Sequence, residues 1–372
     1  MTPKIIREYH RLRHQLASHG LGNHARALQD WVPYELNRNL RYILGGAPGD
    51  LPPLSVRFTA SLPYGEDLVA VREGRGLTIL LPMHNVARAA ELAIFHGPAY
   101  LYWLTACARD IEVFSITLSD GEAGTAARFA PSSNRPDVIA LPDPYFFQWK
   151  GFADWRRRSE NDDVPWESRS ARITWVGASS GKGTYDPVLA QVRPERGAAR
   201  LLLCLALRDI TDCEGGIVFM PPGEVTLDVL RRHGLASPRV PEETWLGRKF
   251  AIDIDGQTNT WSNLLVRFHY GCCVLKVESQ HGYRQWYYDR IKPWEHFIPV
   301  RADLSDLAEK IEWVRSHDAR SHEIARNGRA FARTLTYEAG LADAVRLITE
   351  NWRPYEGFVA PGQGFDHGAY GS

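Results

Sequence analysis

The sequence predicts an α/β protein made of two parallel-sheet domains. Two successive rounds of strand-and-helix alternation predict it, and so does the length of 372 residues, set against a soft prior of roughly 150 residues per domain. Composition agrees. With 44% hydrophobic and 24% charged residues, the chain lies away from disordered, collagen-like and disulfide-scaffold sequences. In such a pair of domains the ligand is expected in the cleft between them, at the carboxyl ends of the strands.

Residues 4–45 read as helices, because Ile5, Tyr9, Leu12 and Leu16, then Ala27, Leu28 and Trp31, recur at helical spacing, broken by Gly20, Gly22 and Pro33. This stretch is basic, with Lys4, Arg7, Arg11, Arg13, Arg26, Arg38 and Arg41 set against Glu8, Asp30 and Glu35. A solvated helix face is the first expectation, and peripheral docking on an anionic membrane surface the second. After the Gly/Pro loop at 45–53 come the β-type runs LSVRF, DLVAV and LTILLP, a helical stretch from Val86 to Ile94, and the strand-like IEVFSITL at 111–118. A polar, Trp-rich stretch at 149–169 separates the two rounds, and the boundary is expected near 165. The second round runs through strand 172–176, helices around 185–206, strand 217–220, helix 225–233, strand 249–254, helix 260–270, strand 272–277 and helices from 304 to about 350. The expected organisation is therefore 1–165, 166–345 and a crossing segment with a loose, glycine-rich tail at 346–372.

Several functions are excluded by charge and hydropathy. Lys plus Arg (44) cancels Asp plus Glu (44), so no net field attracts a polyanion, and a nucleic-acid partner is not expected. The longest apolar runs, 77–82 and 201–207, fall short of the roughly 20 residues of a membrane span. The charged N-terminus and the lack of any Asn-x-Ser/Thr acceptor give a cytoplasmic location as the expectation, at the inner face of the membrane if the basic segment docks. Five cysteines without a C-x-x-C spacing read as free thiols. Aromatic residues make up 11% of the chain; most will pack cores, and some are expected to line a pocket for a ring-shaped ligand.

Two short motifs invite nucleotide chemistry. GASSGKGT at 177–184 is no Walker A motif, since only three residues separate Gly177 from the Gly181-Lys182 pair and Gly183 follows the lysine. It remains a small-residue loop after a strand that can present N–H groups to an anion. Asp253 and Asp255 at i and i+2 could chelate a divalent metal beside a diphosphate, although a structural or sugar-contacting role is favoured and no metal ligand is assigned.

The region 249–300 is more specific: KFAIDIDGQTNTWSNLLVRFHYGCCVLKVESQHGYRQWYYDRIKPWEHFIPV, followed by RADLSDL at 301–307. It joins a strand, the Gly256 turn, Thr260 and Ser262 near a helix start, and a second strand ending in Lys276 and Glu278. That pattern resembles the carboxyl half of glycosyltransferase family 90, which contains Rumi-type protein O-glucosyltransferases, fungal capsule xylosyltransferases and bacterial lipopolysaccharide or capsule transferases. IARNGRAF at 324–331 continues the resemblance. Upstream, RITWVGASSG, IALPDPYFFQW at 139–149 and IEVFSITLSDGE at 111–122 extend it.

The resemblance implies a GT-B architecture of two Rossmann-like domains, with a UDP-sugar donor in the carboxyl domain and a glycan, lipid-linked saccharide or protein acceptor in the amino domain. It implies inversion, no metal requirement and no cofactor beyond the donor. Carried over, the general base is Asp120, with Glu122 and Asp143 next in line. The donor site comprises Trp175, Gly177, Ser179, Lys182, Asp255, Gly256, Thr260, Trp261, Ser262, Lys276 and Glu278, with Glu278 on the ribose. Val176 and Ser262 stand where the protein-glycosylating branch has diphosphate-binding arginines. Replacement charge is expected from Lys182, Arg172, Lys249 or Arg284, or from helix-terminal N–H groups and hydroxyls around Thr260 and Ser262. A metal-dependent transferase using Asp253 and Asp255, or a sugar-binding protein without turnover, are the alternatives.

Overall fold

The computed structural model describes residues 25–45, 52–108, 111–221 and 225–357. The helices expected over residues 4–24 and the tail beyond 357 lie outside the described residues. The chain forms two compact units, one of residues up to 148 together with those from 340 onward, the other Trp149–Ala339. The division thus falls at 148/149 and 339/340, where the sequence suggested about 165 and 345. The Trp-rich stretch belongs with the second unit because its side chains anchor there. Trp166 joins that unit's apolar core, and Arg169 donates to the Tyr270 and Gly271 carbonyls at 2.9 and 2.8 Å.

The first unit holds a six-stranded sheet of order β1-β3-β2-β4-β5-β6. Its strands are β1 (Leu54–Thr59), β2 (Asp67–Glu73), β3 (Gly76–Pro82), β4 (Val113–Thr117), β5 (Phe129–Ala130) and β6 (Ile139–Ala140). The sheet is mixed, whereas alternation alone suggested parallel pairing. β2 folds back on β3 as a hairpin and runs antiparallel to both β3 and β4, through a tight turn at Gly74, whose φ of +63° favours glycine. Helix α1 (Ala25–Ile43) and α2 (Val86–Ala106) belong to this unit. Leu28, Val32, Leu36 and Leu40 of α1 are buried at i, i+4, i+8 and i+12. α2 outruns its expected end at Ile94 because its apolar residues continue, with Tyr100, Leu101, Trp103 and Leu104 all buried. α3 (Pro144–Gln148) closes this part of the chain.

The second unit begins with α4 (Ala153–Asn161) and continues through β7 (Ile173–Ala178), α5 (Pro187–Val192), α6 (Ala199–Arg208), β8 (Cys213–Phe219) and α7 (Leu227–Arg232). Then come β9 (Phe250–Asp253), α8 (Asn263–His269), β10 (Cys273–Val277), β11 (Ile298–Val300), α9 (Leu307–Ser316) and α10 (Asp318–Thr334). α11 (Tyr337–Asn351) carries the chain back into the first unit. β9 and β10 are buried at every residue, as expected of parallel strands covered on both faces. β7 pairs with β8, and β9, β10 and β11 form a second parallel ladder. Ser170 and Arg248 make a parallel bridge between the two ladders, with Lys249 N–H donating to the Ser170 carbonyl at 2.9 Å. The order is therefore β8-β7-β9-β10-β11, a 2-1-3-4-5 winding that reverses between β7 and β9. In such sheets ligands bind outside the carboxyl ends of the strands at that reversal.

Candidate donor site and general base

A cavity of about 430 Å³ opens where the order reverses, walled by the loops that follow β7, β9, β10 and β11. Ser180 to Gly183 line one side, Asp255 to Thr258 the next, then Ser279 to His281 and Ala302 to Leu304. The first two loops touch through glycine. A Cβ on Gly181, whose φ is +96°, would lie 2.7 Å from the Gly256 carbonyl, so a side chain there would push the loops apart. Tyr185 closes the first loop, its hydroxyl accepting from Ser180 N–H and donating to Ser180 O, both at 2.8 Å.

The two aspartates differ sharply. Asp253 is fully buried and saturated: Thr260 Oγ1 donates to it at 2.7 Å, Asn263 Nδ2 at 3.0 Å and Lys276 Nζ at 3.1 Å. Asp255, two residues on, lies beyond the strand with its carboxylate on the cavity wall, 5% exposed. Ser279 is near enough to favour its charged form, yet among the described residues neither oxygen completes a hydrogen bond of acceptable geometry. Burial raises its pKa to about 6 against the opposing pull of Lys276. A buried carboxylate without donors is costly, and a polyhydroxylated ligand would supply them.

The other expected residues sort between this cavity, a smaller one and neither. Lys182 and Gly256 line the larger cavity. Trp175, Gly177 and Thr260 line a second cavity of about 130 Å³ beside it, with Val176, Arg200 and Arg267. Ser179 has a buried hydroxyl without a partner among the described residues. Trp261 takes a positive φ of +52°, and Asn259 Oδ1 accepts from its N–H at 2.5 Å and from Gln285 at 2.5 Å, fixing the turn into α8. Ser262 starts α8 without a side-chain cap. Lys276 serves Asp253 and lies 4.5 Å from the Tyr288 ring centre. Glu278 is exposed and does not line the cavity. β10 ends at Val277, so the strand alternation that would place Glu278 beside Lys276 stops one residue short. Arg172, Lys249 and Arg284 pair with Glu214, Asp318 and Asp289 and line neither cavity.

In the first unit, Asp120 follows β4 in a turn built for it. Ser132 Oγ donates to its carbonyl at 2.7 Å, Ser119 Oγ accepts from Gly121 N–H at 3.0 Å, and Gly121 has a φ of +106°. A Cβ on Gly121 would run into the Ser132 carbonyl. Burial, then Glu122 and Glu66, raise the Asp120 pKa to about 7, with Arg88 opposing. Asp143 has a structural job: its Oδ1 accepts from Tyr145 and Phe146 N–H, both at 3.0 Å, capping α3. Glu122 is exposed.

Residues 148–343 match the family model described as glycosyl transferase family 90. The chain belongs to this family. The matched stretch spans nearly the whole second unit, Trp149–Ala339, so family membership rests on the unit that holds both cavities, and Asp120 stands outside it. Among relatives, Protein O-glucosyltransferase 2 of Danio rerio is 39% identical over 88 residues, 23% of this chain. Protein O-glucosyltransferase 3 of Homo sapiens is 32% identical over 91 residues, again 23%. Protein 179R of Invertebrate iridescent virus 6 is 28% identical over 206 residues, 51% of this chain. Each match spans 17% of the relative's own length. Anabaena HepE in complex with UDP-glucose aligns at a TM-score of 0.33 and 13% identity, over 53% of each chain. At the two places where the protein-glycosylating branch of the family carries arginines, this member keeps Val176 and Ser262. Two guanidiniums line the smaller cavity with Val176, those of Arg200 and Arg267, which the sequence did not single out and which no motif marks.

Proposed function

We propose that the chain transfers a sugar from a UDP-sugar to a hydroxyl of a glycan, lipid-linked saccharide or protein, with inversion and without a metal. The observation that carries this reading is the undonated Asp255 carboxylate on a cavity at the strand-order reversal of a family 90 unit. Relatives named protein O-glucosyltransferases support glucose as the sugar. Asp120 takes the proton of the acceptor hydroxyl while the acceptor oxygen bonds to the anomeric carbon. The bond from that carbon to the β-phosphate oxygen breaks, and UDP leaves with the electron pair. A carboxyl with a pKa about 7 suits a base working near neutrality. Lys182 and loop N–H groups are the charge available in the larger cavity to the departing diphosphate. Saturation of Asp253 supports the metal-free reading over chelation by the Asp253/Asp255 pair. A cytoplasmic site of action, beside the membrane where a lipid-linked acceptor would lie, completes the proposal.

The test is a panel of UDP- and GDP-sugars scored by thermal stabilisation, since a ligand that binds only the folded state raises its melting temperature. UDP-glucose or a close UDP-sugar is expected to stabilise most, and the stabilising donor should be consumed when acceptor is added. Stabilisation without turnover would favour a sugar-binding protein, and no stabilisation by any donor would overturn the proposal.

A further inference from the structure

The smaller cavity carries a guanidinium that, among the described residues, no hydrogen bond answers. Arg267, on α8, is 9% exposed, and burial pulls its pKa down to about 10. Its guanidinium lies 4.0 Å from the Trp245 ring centre; Glu242 and Asp253 act on it only through space, and among the described residues no carboxylate or carbonyl accepts from it, with Nη1 wholly buried and without a partner. Arg200 enters the same cavity from α6, but it is spoken for by the Ala178 and Asp255 carbonyls at 3.0 and 3.1 Å and by Ser180 Oγ at 2.7 Å. The lining contains two guanidiniums and no carboxylate. Asn263 and Thr260 also face it, and each donates to Asp253, although the Asn263 amide keeps a second N–H. A buried guanidinium costs several kcal/mol unless an anion or a set of acceptors answers it, and a ring face supplies only part of that.

We propose that the cavity between β7 and β9, headed by Arg267, binds a phosphate-type oxyanion. Its volume of about 130 Å³ exceeds the roughly 30 Å³ share of one water, leaving room for a tetrahedral group. Arg267 and the second Asn263 amide N–H provide donors for such an anion, and the Arg200 charge lies beside them. The anion is either a phosphate of the nucleotide held in the neighbouring cavity or free inorganic phosphate. In the first case the site deepens the donor reading given above; in the second it stands apart from it.

The experiment is calorimetric titration of inorganic phosphate and of UDP, each alone and in competition, into the wild-type protein, Arg267→Met and Arg267→Lys, with unliganded melting temperatures recorded. Arg267→Met keeps the stem but removes the unanswered charge. It is expected to melt no lower than wild type, and to weaken binding of the cavity's anion about 10- to 100-fold, as loss of a charged hydrogen bond does. Arg267→Lys should fall in between. If the anion is the nucleotide's, phosphate competes with UDP and the UDP affinity of Arg267→Met drops. If it is free phosphate, phosphate and UDP bind together and only phosphate affinity drops. The proposal is overturned if both ligands bind Arg267→Met and Arg267→Lys as they bind wild type, or if phosphate fails to bind wild type while UDP affinity is unmoved in both variants. Should UDP fail to bind wild type, the donor reading falls while the phosphate arm still decides this site.

Discussion

Two carboxylates, each just beyond the end of a strand, make the most useful comparison in this molecule. Asp120 follows β4 and Asp255 follows β9, and burial raises both. What differs is the company. Asp120 has Glu122 and Glu66 near it and reaches about 7, whereas Asp255 has Lys276 and Arg200 against Asp253 and stays at about 6. At neutral pH the first is poised to exchange a proton and the second is mostly ionised and ready to accept hydrogen bonds. Like-charged neighbours thus suit a carboxylate to chemistry, and opposite ones suit it to binding.

The largest expected effect breaks the chemical side of the comparison. Asp120→Asn retains size and a hydrogen-bonding group but cannot take a proton, so transfer should fall roughly 10²- to 10⁴-fold in steady-state assays while calorimetry finds UDP affinity intact. The wild-type rate should climb with pH through about 7, as Asp120 loses its proton, and the residual rate of the variant should not. A retained profile would move the base to Glu122.

Next in size is the effect at Asp253, two residues before Asp255. Asp253→Asn deprives the buried Lys276 ammonium of its counter-ion, and breaking such a pair costs about 3–5 kcal/mol, measurable by urea unfolding. Transfer by the wild-type protein is expected to continue in EDTA. An Asp253→Asn protein of normal stability whose parent needs Mn²⁺ or Mg²⁺ would restore the chelation reading.

A smaller effect sharpens the electrostatic argument. Because the folded state raises the Asp120 pKa, it holds a proton near pH 7 that the unfolded chain, at 3.8, does not. The ionised residue therefore costs stability above about pH 7, and the cost fades as pH falls. Asp120→Asn should gain stability over wild type by about 1 kcal/mol more at pH 8 than at pH 6. Urea midpoints of both proteins at the two pH values check this.

Much of the fold was legible because its strands are strongly patterned. LSVRF, DLVAV, LTILLP and the fully buried FAID and CVLKV runs announce themselves. β5 and β6, with two residues each, and β11, with three, are too short for any periodicity. The antiparallel hairpin of β2 and β3 hides in a turn at Gly74 and Arg75 that spacing alone does not orient. For the site, the loops were legible and the side-chain roles less so. Asp255 and Glu278 look equivalent in sequence, each two residues beyond a strand-borne charge. One is buried on the cavity and the other faces solvent, although both lie past the end of their strand, so spacing alone does not fix where the charge points. Arg200 and Arg267 carry no motif, and what marks them is the acceptors that Arg200 has and that Arg267, among the described residues, lacks.

The most direct test of the division of labour is one set of transfer rates against donor concentration for wild type, Asp120→Asn and Asp255→Asn at pH 7.5. Asp120→Asn is expected to lower kcat with KM for the UDP-sugar nearly unchanged. Asp255→Asn is expected to raise KM about 10-fold or more, as for loss of charged hydrogen bonds to ligand hydroxyls, with a smaller effect on kcat. The reverse assignment, or two variants that lower kcat alike with KM unmoved, would contradict that division.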